Sequence, residues 1–285
     1  MRTAVIVAGS VLLVLLGALQ GFATVLLRNS AEPGAWSLRL PPALAARVES
    51  FETNLPLPPA LRIVQARRAL EAHQYDLAAR RIARLPAGSD RAALAGRLSE
   101  ERGDETTAVR DYLEAGDLNG LERRTDRLEE AGDIAGARAL QRATVDRLAG
   151  DFTQGDALAQ AYYRLGRLEQ ATAYGLTLGS QARHDEELRS YAAYNSAVAL
   201  APFAERYLIA AGNQELNLGE LERAREFFKR AQGADPTSVQ ALVGYGDIAF
   251  RAGDVVTARS WLARARRIDP KADAVERLAH KLGDE

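Results

Sequence analysis

Hydrophobic and polar positions divide the chain into two unlike parts. Residues 4–27 form an apolar run without a charged side chain, in which Ser10, Gln20 and Thr24 are the polar residues. Beyond this run no strand-like alternation of β-branched residues is present, and alanine, leucine, arginine and glutamate dominate, as they do in long helical assemblies. The pattern predicts an all-α protein in which a segment of membrane-spanning length precedes a helical domain.

The helical part repeats itself near its C-terminus at a fixed period of about 34 residues, which is typical of stacked helix–turn–helix units. Gly212, Gly219, Ala224, Phe228, Ala231 and Pro236 recur as Gly246, Gly253, Ala258, Leu262, Ala265 and Pro270. We expect the first glycine of each set to lie mid-helix, where a missing side chain lets another helix approach. The second glycine is expected to end the first helix in the left-handed conformation.

These positions resemble the tetratricopeptide repeat family. The last unit carries the family pattern at Leu242, Tyr245, Gly246, Ala249, Gly253, Ala258, Leu262, Ala265 and Pro270. The unit before it departs at Glu215, where a tyrosine or a small apolar residue is usual, so its first helix is expected to be shifted or locally exposed. The resemblance implies an α-solenoid that binds protein partners and does not catalyse a reaction.

Upstream the register of the repeat persists but decays. Gly132 and Gly166 are again separated by one full period, which predicts that both lie in turns. His73 replaces the turn glycine in a degenerate first repeat. The interval from Gly166 to Gly219 is longer than one period and shorter than two, so the helix-like residues 185–200 are expected to form an extra or incomplete unit.

The expected architecture is an N-terminal transmembrane helix followed by an α-solenoid of about five to six helix–turn–helix repeats and a C-terminal capping helix. Its segments are a membrane anchor at 1–28, a proline-rich linker at 29–58, degenerate repeats at 59–200, and two well-defined repeats with the capping helix at 201–285. Apolar spacing at Ala274, Leu278 and Leu282 predicts the capping helix.

The apolar run at 4–27 is long enough to cross a membrane. As a helix it would span about 36 Å, against a bilayer core of about 30 Å. Gly21-Phe22-Ala23 imitates a signal-peptide cleavage site, but the apolar run continues past it and favours an uncleaved anchor. Gly17 and Gly21 form a Gly-x-x-x-Gly pair that permits close packing against another membrane helix.

The basic residues that flank this anchor give little indication of its orientation. Arg2 precedes the run, whereas Arg28 and Arg39 follow it, so the basic residues are almost balanced. The very short N-terminal tail favours a cytoplasmic N-terminus. We therefore expect a single-pass protein of the cell membrane with an extracytoplasmic repeat domain.

Composition and motifs narrow the function. The formal net charge is −1 and cysteine is absent, so nucleic-acid binding is not indicated and disulfides are excluded. His73, His184 and His280 are far apart and lack spaced partners, so no metal site is predicted. No catalytic motif is present. We expect neither an enzyme nor a cofactor, and no small-molecule substrate is evident.

In the family, first-helix positions line a concave face, and the resemblance implies a partner-binding groove there. The corresponding positions here are Tyr163, Arg206, Asn213, Asn217, Gln240, Phe250 and Arg251. Asn213 and Asn217 are one helical turn apart, so both amides can face the groove and hold the backbone of an extended peptide. The alternative is that they are ordinary surface residues.

The sequence thus predicts a membrane-anchored scaffold that binds membrane-associated protein partners in the assembly or support of a membrane complex. Two alternatives stay open. One is a permanent structural subunit of a large membrane protein complex, with the transmembrane helix as a major contact. The other is an exported soluble peptide-binding protein, which would require cleavage near Ala23.

Overall fold

The structure is a computed structural model that describes residues 58–150 and 152–284. Within these residues the regular structure is entirely helical, with thirteen α-helices, one short 3₁₀ helix and no strand. The all-α prediction is confirmed for this part of the chain. None of the described helices combines the length and apolar character that a membrane span requires. The expected anchor at 4–27, with Gly17 and Gly21, lies outside the described residues.

The chain divides between Ala115 and Gly116 into two compact units. The first unit has two helical hairpins, built from α1 (Pro59–Glu71), α2 (Tyr75–Ala83), α3 (Ser89–Glu101) and α4 (Glu105–Ala115). Its core consists of Ala66, Ala69, Leu70, Ala78, Ile82, Leu85, Leu94 and Leu98. The small alanines let the helices approach closely, while the leucines and the isoleucine fill the space between them.

The second unit has four hairpins and a final helix. They are α5 (Leu118–Glu130), α6 (Ile134–Ala149), α7 (Gly155–Tyr174), α8 (Gln181–Leu200), α9 (Glu205–Leu218), α10 (Leu221–Ala234), α11 (Val239–Arg251), α12 (Val255–Ile268) and α13 (Asp273–Leu282), with a 3₁₀ turn at Phe152–Gln154. Each helix packs on the next, and α13 packs on both α11 and α12. The described residues therefore hold six hairpins, as the expected five to six repeats allow, and α13 closes the last apolar cluster as a capping helix should.

Four of the six described hairpin turns pair a glycine with an acidic residue. These four glycines share φ values between 78° and 83°: Gly103, Gly132, Gly219 and Gly253. The Gly253 N–H donates to the Phe250 carbonyl (3.0 Å) and the Asp254 N–H to the Ala249 carbonyl (2.9 Å), which closes the end of α11. The Asp254 carboxylate then accepts the Thr257 N–H (3.0 Å) and caps α12. The predicted turn glycines at 132, 219 and 253 are confirmed.

His73 adopts the same left-handed conformation, with a φ of 54°. Its N–H donates to the Leu70 carbonyl (2.9 Å), and the Gln74 N–H donates to the Ala69 carbonyl (2.8 Å). These are the two bonds that close the glycine turns. His73 therefore replaces a turn glycine in the first hairpin, as the sequence predicted.

Gly212 and Gly246 lie mid-helix at close approaches between helices. A Cβ atom on Gly212 would fall 2.8 Å from the Phe228 ring, and one on Gly244 would fall 2.6 Å from the same ring. Phe228 on α10 is fully buried and occupies space that glycines on α9 and α11 leave open. A Cβ on Gly246 would fall 2.5 Å from Leu278 on α13, so the partner there is the capping helix.

Gly166 is not a turn residue, and the prediction that placed it in a turn is wrong. It lies within α7, where a Cβ would fall 2.6 Å from the Tyr194 ring on α8. Helices α7 and α8 have 20 residues each, against 14 in α9 and in α10, and this length explains the long interval between Gly166 and Gly219. Their turn contains Gly179, with a φ of 78°. Residues 185–200 therefore belong to the second helix of a complete long hairpin, not to an extra unit.

Glu215 is buried, contrary to the expected exposure of its helix. Its side chain has no accessible surface, and neither carboxylate oxygen accepts a hydrogen bond. The nearest cation is the Arg223 guanidinium, whose Nη1 lies 3.8 Å from Oε1. Since Gly212 and Leu216 are buried as well, α9 keeps the register of the repeat and takes the carboxylate into the core.

Candidate partner-binding groove

One face of each of α7, α9, α11 and α13 lines a single open groove of about 490 Å³ in the second unit. On α11 the lining residues are Gln240, Val243, Asp247 and Arg251, which are three or four positions apart. Residues at this spacing share one side of a helix, because the helix turns every 3.6 residues. The groove is therefore built mainly by the first helices of three successive hairpins and by the capping helix, with Tyr194 of α8.

Six of the seven predicted partner-binding residues line this groove. They are Tyr163 on α7, Arg206, Asn213 and Asn217 on α9, and Gln240 and Arg251 on α11. Residues far apart in sequence are thus brought to one surface by the stacking of first helices. That these side chains bind a partner stays a prediction.

Phe250, the seventh predicted residue, does not line the groove. It directly precedes Arg251 on α11, so its side chain projects about 100° away around the helix. It is 37% exposed, on the flank of the helix. The family resemblance therefore placed one residue too many of α11 in the groove.

The two asparagines lie on a well-anchored part of α9. The Asn217 amide donates to the Tyr174 hydroxyl at 3.2 Å. Between them in sequence, Gln214 is fully buried: its amide donates to the Glu187 carbonyl (2.8 Å), and its oxygen accepts from Gln170 (3.1 Å). These bonds join α7, α8 and α9 beneath the groove. Asn213 and Asn217 consequently project from a rigid base.

Tyr163 and Tyr194, which line the groove, belong to a cluster of tyrosines. The ring centroids of Tyr163 and Tyr207 are 5.2 Å apart, and those of Tyr163 and Tyr194 are 5.9 Å apart. The Arg206 guanidinium lies over Tyr207, with Cζ 4.7 Å from the ring centroid. Burial raises the pKa of the Tyr194 phenol above its ordinary value, so its hydroxyl remains protonated and donates to Gln170 (3.3 Å).

The capping helix supplies groove residues that the sequence analysis did not assign. Arg277 and Lys281 lie one turn apart on α13, and both line the groove. Lys281 Nζ pairs with Asp247 Oδ1 on α11 at 2.5 Å. The signal in the sequence was the pair of basic residues between apolar ones, which the capping role alone does not require.

Farther back, ion pairs connect α5 and α7. Arg164 forms ion pairs with Glu122 (3.4 Å) and Asp126, and Arg167 pairs with Glu129 (3.5 Å). Three carboxylates on α5 therefore face two arginines on α7. This ladder holds the two hairpins together and leaves the open groove to α7 and the helices after it.

The described residues offer no arrangement for catalysis with a metal. No group of three or more His, Asp or Glu side chains among them has the geometry to hold a metal ion. His73 lies in the turn between α1 and α2, His184 on α8 and His280 on α13. The groove combines amides, phenols and cations on a stable base, which is an arrangement for binding.

Stacked helical hairpins whose first helices line one groove define a class of helical repeat protein. Residues 189–239 and 209–273 match the model of the family described as "Tetratricopeptide repeat". Over residues 189–273 the chain is therefore similar to the tetratricopeptide repeat (TPR) family. No curated protein sequence matches the chain.

Several solved structures are similar to the chain in fold. One is the C-terminal part of a TPR repeat-containing protein from Cytophaga hutchinsonii, at 15% identity and a TM-score of 0.52, covering 83% of this chain and 93% of that one. A thermophilic TPR protein from Thermus thermophilus shares 15% identity at a TM-score of 0.47, over 79% and 99% of the two chains. PilF of Pseudomonas aeruginosa shares 12% identity at a TM-score of 0.46, over 78% and 97%. At so low an identity, the likeness to the Cytophaga protein concerns the fold alone.

Proposed function

We propose that the chain is a protein-interaction scaffold whose groove binds an extended segment of a partner protein. The observation that carries this proposal is the placement of Asn213 and Asn217, one turn apart, in a groove of about 490 Å³. An amide offers both a donor and an acceptor, and so can bind the N–H and the C=O of a peptide backbone. Tyr163 and Tyr174 supply apolar surface beside them.

We further propose that residues 4–27 anchor this scaffold in the cell membrane, with the repeats on the extracytoplasmic side. The support is the uncharged apolar run of membrane-spanning length. An anchor confines the groove to the bilayer surface and raises its effective concentration near membrane-bound partners. In this arrangement the scaffold acts in the assembly or support of a membrane complex.

A permanent structural subunit is the second candidate, and the Gly17-x-x-x-Gly21 pair favours it. In that case the membrane helix itself is a principal contact. Replacing residues 4–27 by an unrelated membrane helix separates the candidates. A scaffold keeps its partners after the replacement, whereas a subunit held through its membrane helix loses them.

The test of the scaffold is purification of the full chain from native membranes in mild detergent, with mass spectrometry of the proteins retained. The wild type is compared with Asn213→Ala/Asn217→Ala and with a control, Gln232→Ala on α10, which does not line the groove. We expect the double variant to lose a partner that the wild type and the control retain. Equal retention by all three chains would remove the groove from the function.

A further inference from the structure

The groove is strongly cationic, although the chain as a whole is not. Its charged lining residues are Arg167, Arg206, Arg251, Arg277, Lys281 and Asp247. Five cations against one carboxylate give a formal charge of +4, while the full chain carries −1. The carboxylate is already occupied, since Asp247 pairs with Lys281. Arg167 pairs with Glu129 on α5. The excess positive charge therefore belongs to the other three arginines.

Three of these arginines are uncompensated. Among the described residues, Arg206, Arg251 and Arg277 form no ion pair with a carboxylate. The contrast is with Arg164 on α7, which pairs with Asp126. Where the chain places arginines between α5 and α7 it also supplies acids, and in the open groove it supplies none for these three.

Two of the uncompensated guanidiniums are held in place. Arg206 lies over the ring of Tyr207 (4.7 Å) and near that of Tyr163 (5.8 Å), and its Nη2 donates to the Tyr207 hydroxyl at 2.6 Å. Arg251 Nη1 donates to the Leu216 carbonyl at 2.8 Å. A guanidinium fixed in this way loses less freedom when a ligand binds. Its remaining N–H groups keep the planar fork that matches a carboxylate.

We propose that the groove binds an acidic segment, in which Asp or Glu carboxylates bind Arg206, Arg251 and Arg277 while Asn213 and Asn217 hold the backbone. This inference rests on the proposed function and adds the chemistry of the partner. A peptide fits better than a nucleic acid, because the uncompensated arginines share the groove with amides that can bind a peptide backbone. The net charge of −1 is also not that of a typical nucleic-acid-binding protein.

The test uses the full chain in detergent and three fluorescent peptides of equal length. One contains glutamates, one has glutamine at those positions, and one has lysine. We expect the glutamate peptide alone to bind, with an affinity that falls as salt is added. Arg206→Gln, Arg251→Gln and Arg277→Gln should each weaken its binding by about three- to tenfold. The control is Arg264→Gln, whose guanidinium stacks on Trp261 (4.3 Å) on α12 outside the groove and should leave binding unchanged.

A gain-of-affinity variant guards against loss of folding as an explanation. Asp247→Asn removes the groove carboxylate and releases Lys281, so the glutamate peptide should bind more tightly. Equal binding of the three peptides, or competition by an RNA oligonucleotide as effective as the glutamate peptide, would overturn the acidic partner. The scaffold itself would still stand if the Asn213/Asn217 double variant loses the native partner. It fails separately if that partner is retained.

Discussion

Gly166 on α7 lies directly against the ring of Tyr194 on α8: a Cβ atom at position 166 would fall 2.6 Å from Tyr194 Cδ1 and 2.7 Å from Cε1. Tyr194 is buried and hydrogen-bonded, so it cannot move aside freely. We expect Gly166→Ala to destabilise the second unit by about 1–3 kcal/mol through overpacking. The measurement is urea unfolding of the full chain, followed by circular dichroism.

The matched control is Gly233→Ala on α10. A Cβ there meets no atom within 4 Å, and the residue is helical. Alanine should therefore stabilise by about 0.5–1 kcal/mol, because it restricts the unfolded chain. If both variants shifted the unfolding midpoint in the same direction, the packing of Gly166 against Tyr194 would not be the cause.

Substitution of a turn glycine should lower the stability of the protein even where a side chain has room. Gly253 has a φ of 82°, and a Cβ there would have open space around it. Gly253→Ala should still destabilise by about 1–2 kcal/mol, since only the backbone conformation is strained. The same unfolding experiment measures it, and a neutral result would mean that the turn relaxes to another conformation.

At the equivalent turn of the first hairpin, the substitution His73→Gly should have the opposite effect and raise stability. Its φ of 54° is unfavourable for a residue with a side chain. His73→Gly should relieve that strain and stabilise by up to about 1 kcal/mol, less the contact between His73 Nδ1 and the Tyr75 hydroxyl (2.9 Å). His73→Ala, which removes the contact but keeps the strain, separates the two effects.

The isolated carboxylate of Glu215 should cost stability. It is fully buried, accepts no hydrogen bond and lies 3.8 Å from an exposed arginine. We expect Glu215→Met, a replacement of similar size, to stabilise by about 1–2 kcal/mol, because an unsatisfied charged group leaves the core. The midpoint of urea unfolding should rise.

Glu169 gives the contrasting case for the same substitution. It is 2% exposed, but Arg138 (3.1 Å) and Arg142 both pair with it. Glu169→Met should destabilise by about 3 kcal/mol, since it leaves the half-buried Arg138 with fewer partners. If Glu169→Met raised stability, or if Glu215→Met lowered it, hydrogen bonding would not decide the cost of burying these carboxylates.

The cap of α12 predicts a dependence on pH. Hydrogen bonds from the Thr257 hydroxyl and backbone N–H hold the pKa of Asp254 below its ordinary value of 3.8. A depressed carboxyl pKa contributes stability that is present above pH 3.8 and is lost as the pH falls through the folded-state value. Asp254→Asn should therefore be less stable than the wild type near neutral pH, and the difference should shrink below pH 3.8. Thr257→Val should reduce the same difference, and a difference independent of pH would contradict the assignment.

The repeat period was enough to predict the helical hairpins, because glycines that end a helix and glycines that admit a neighbouring side chain each recur at fixed places. At Gly219 and Gly253 the turn was correct. At Gly166 the spacing predicted a turn, which is wrong. A glycine that ends a helix and one that admits a neighbouring ring cannot be distinguished by spacing alone. The ring that decides is Tyr194, which lies far along the chain and on the next helix.

Most of the groove was implied by the family resemblance and agrees with helical geometry, and its missing part has an identifiable cause. Arg206, Asn213 and Asn217 share one side of α9 wherever that helix begins. The apolar spacing of α13 predicts a capping helix and does not indicate that Arg277 and Lys281 line the groove. Their position depends on how α13 packs against α11, which the sequence of α13 alone does not state.

Helix α13 both caps the last hairpin and lines the groove. It therefore links the packing of the terminal repeat to the charge of the groove, which a repeat protein could otherwise vary independently. A premature stop codon before Asp273 would remove the leucines that seal the last hairpin together with two of the groove's five cations. The packing of the last hairpin and the charge of the groove would then change in a single genetic event. Lengthening the protein by a hairpin inserted before α13 would meet the same constraint, because the inserted helices would inherit contacts that Gly246 and Asp247 now make.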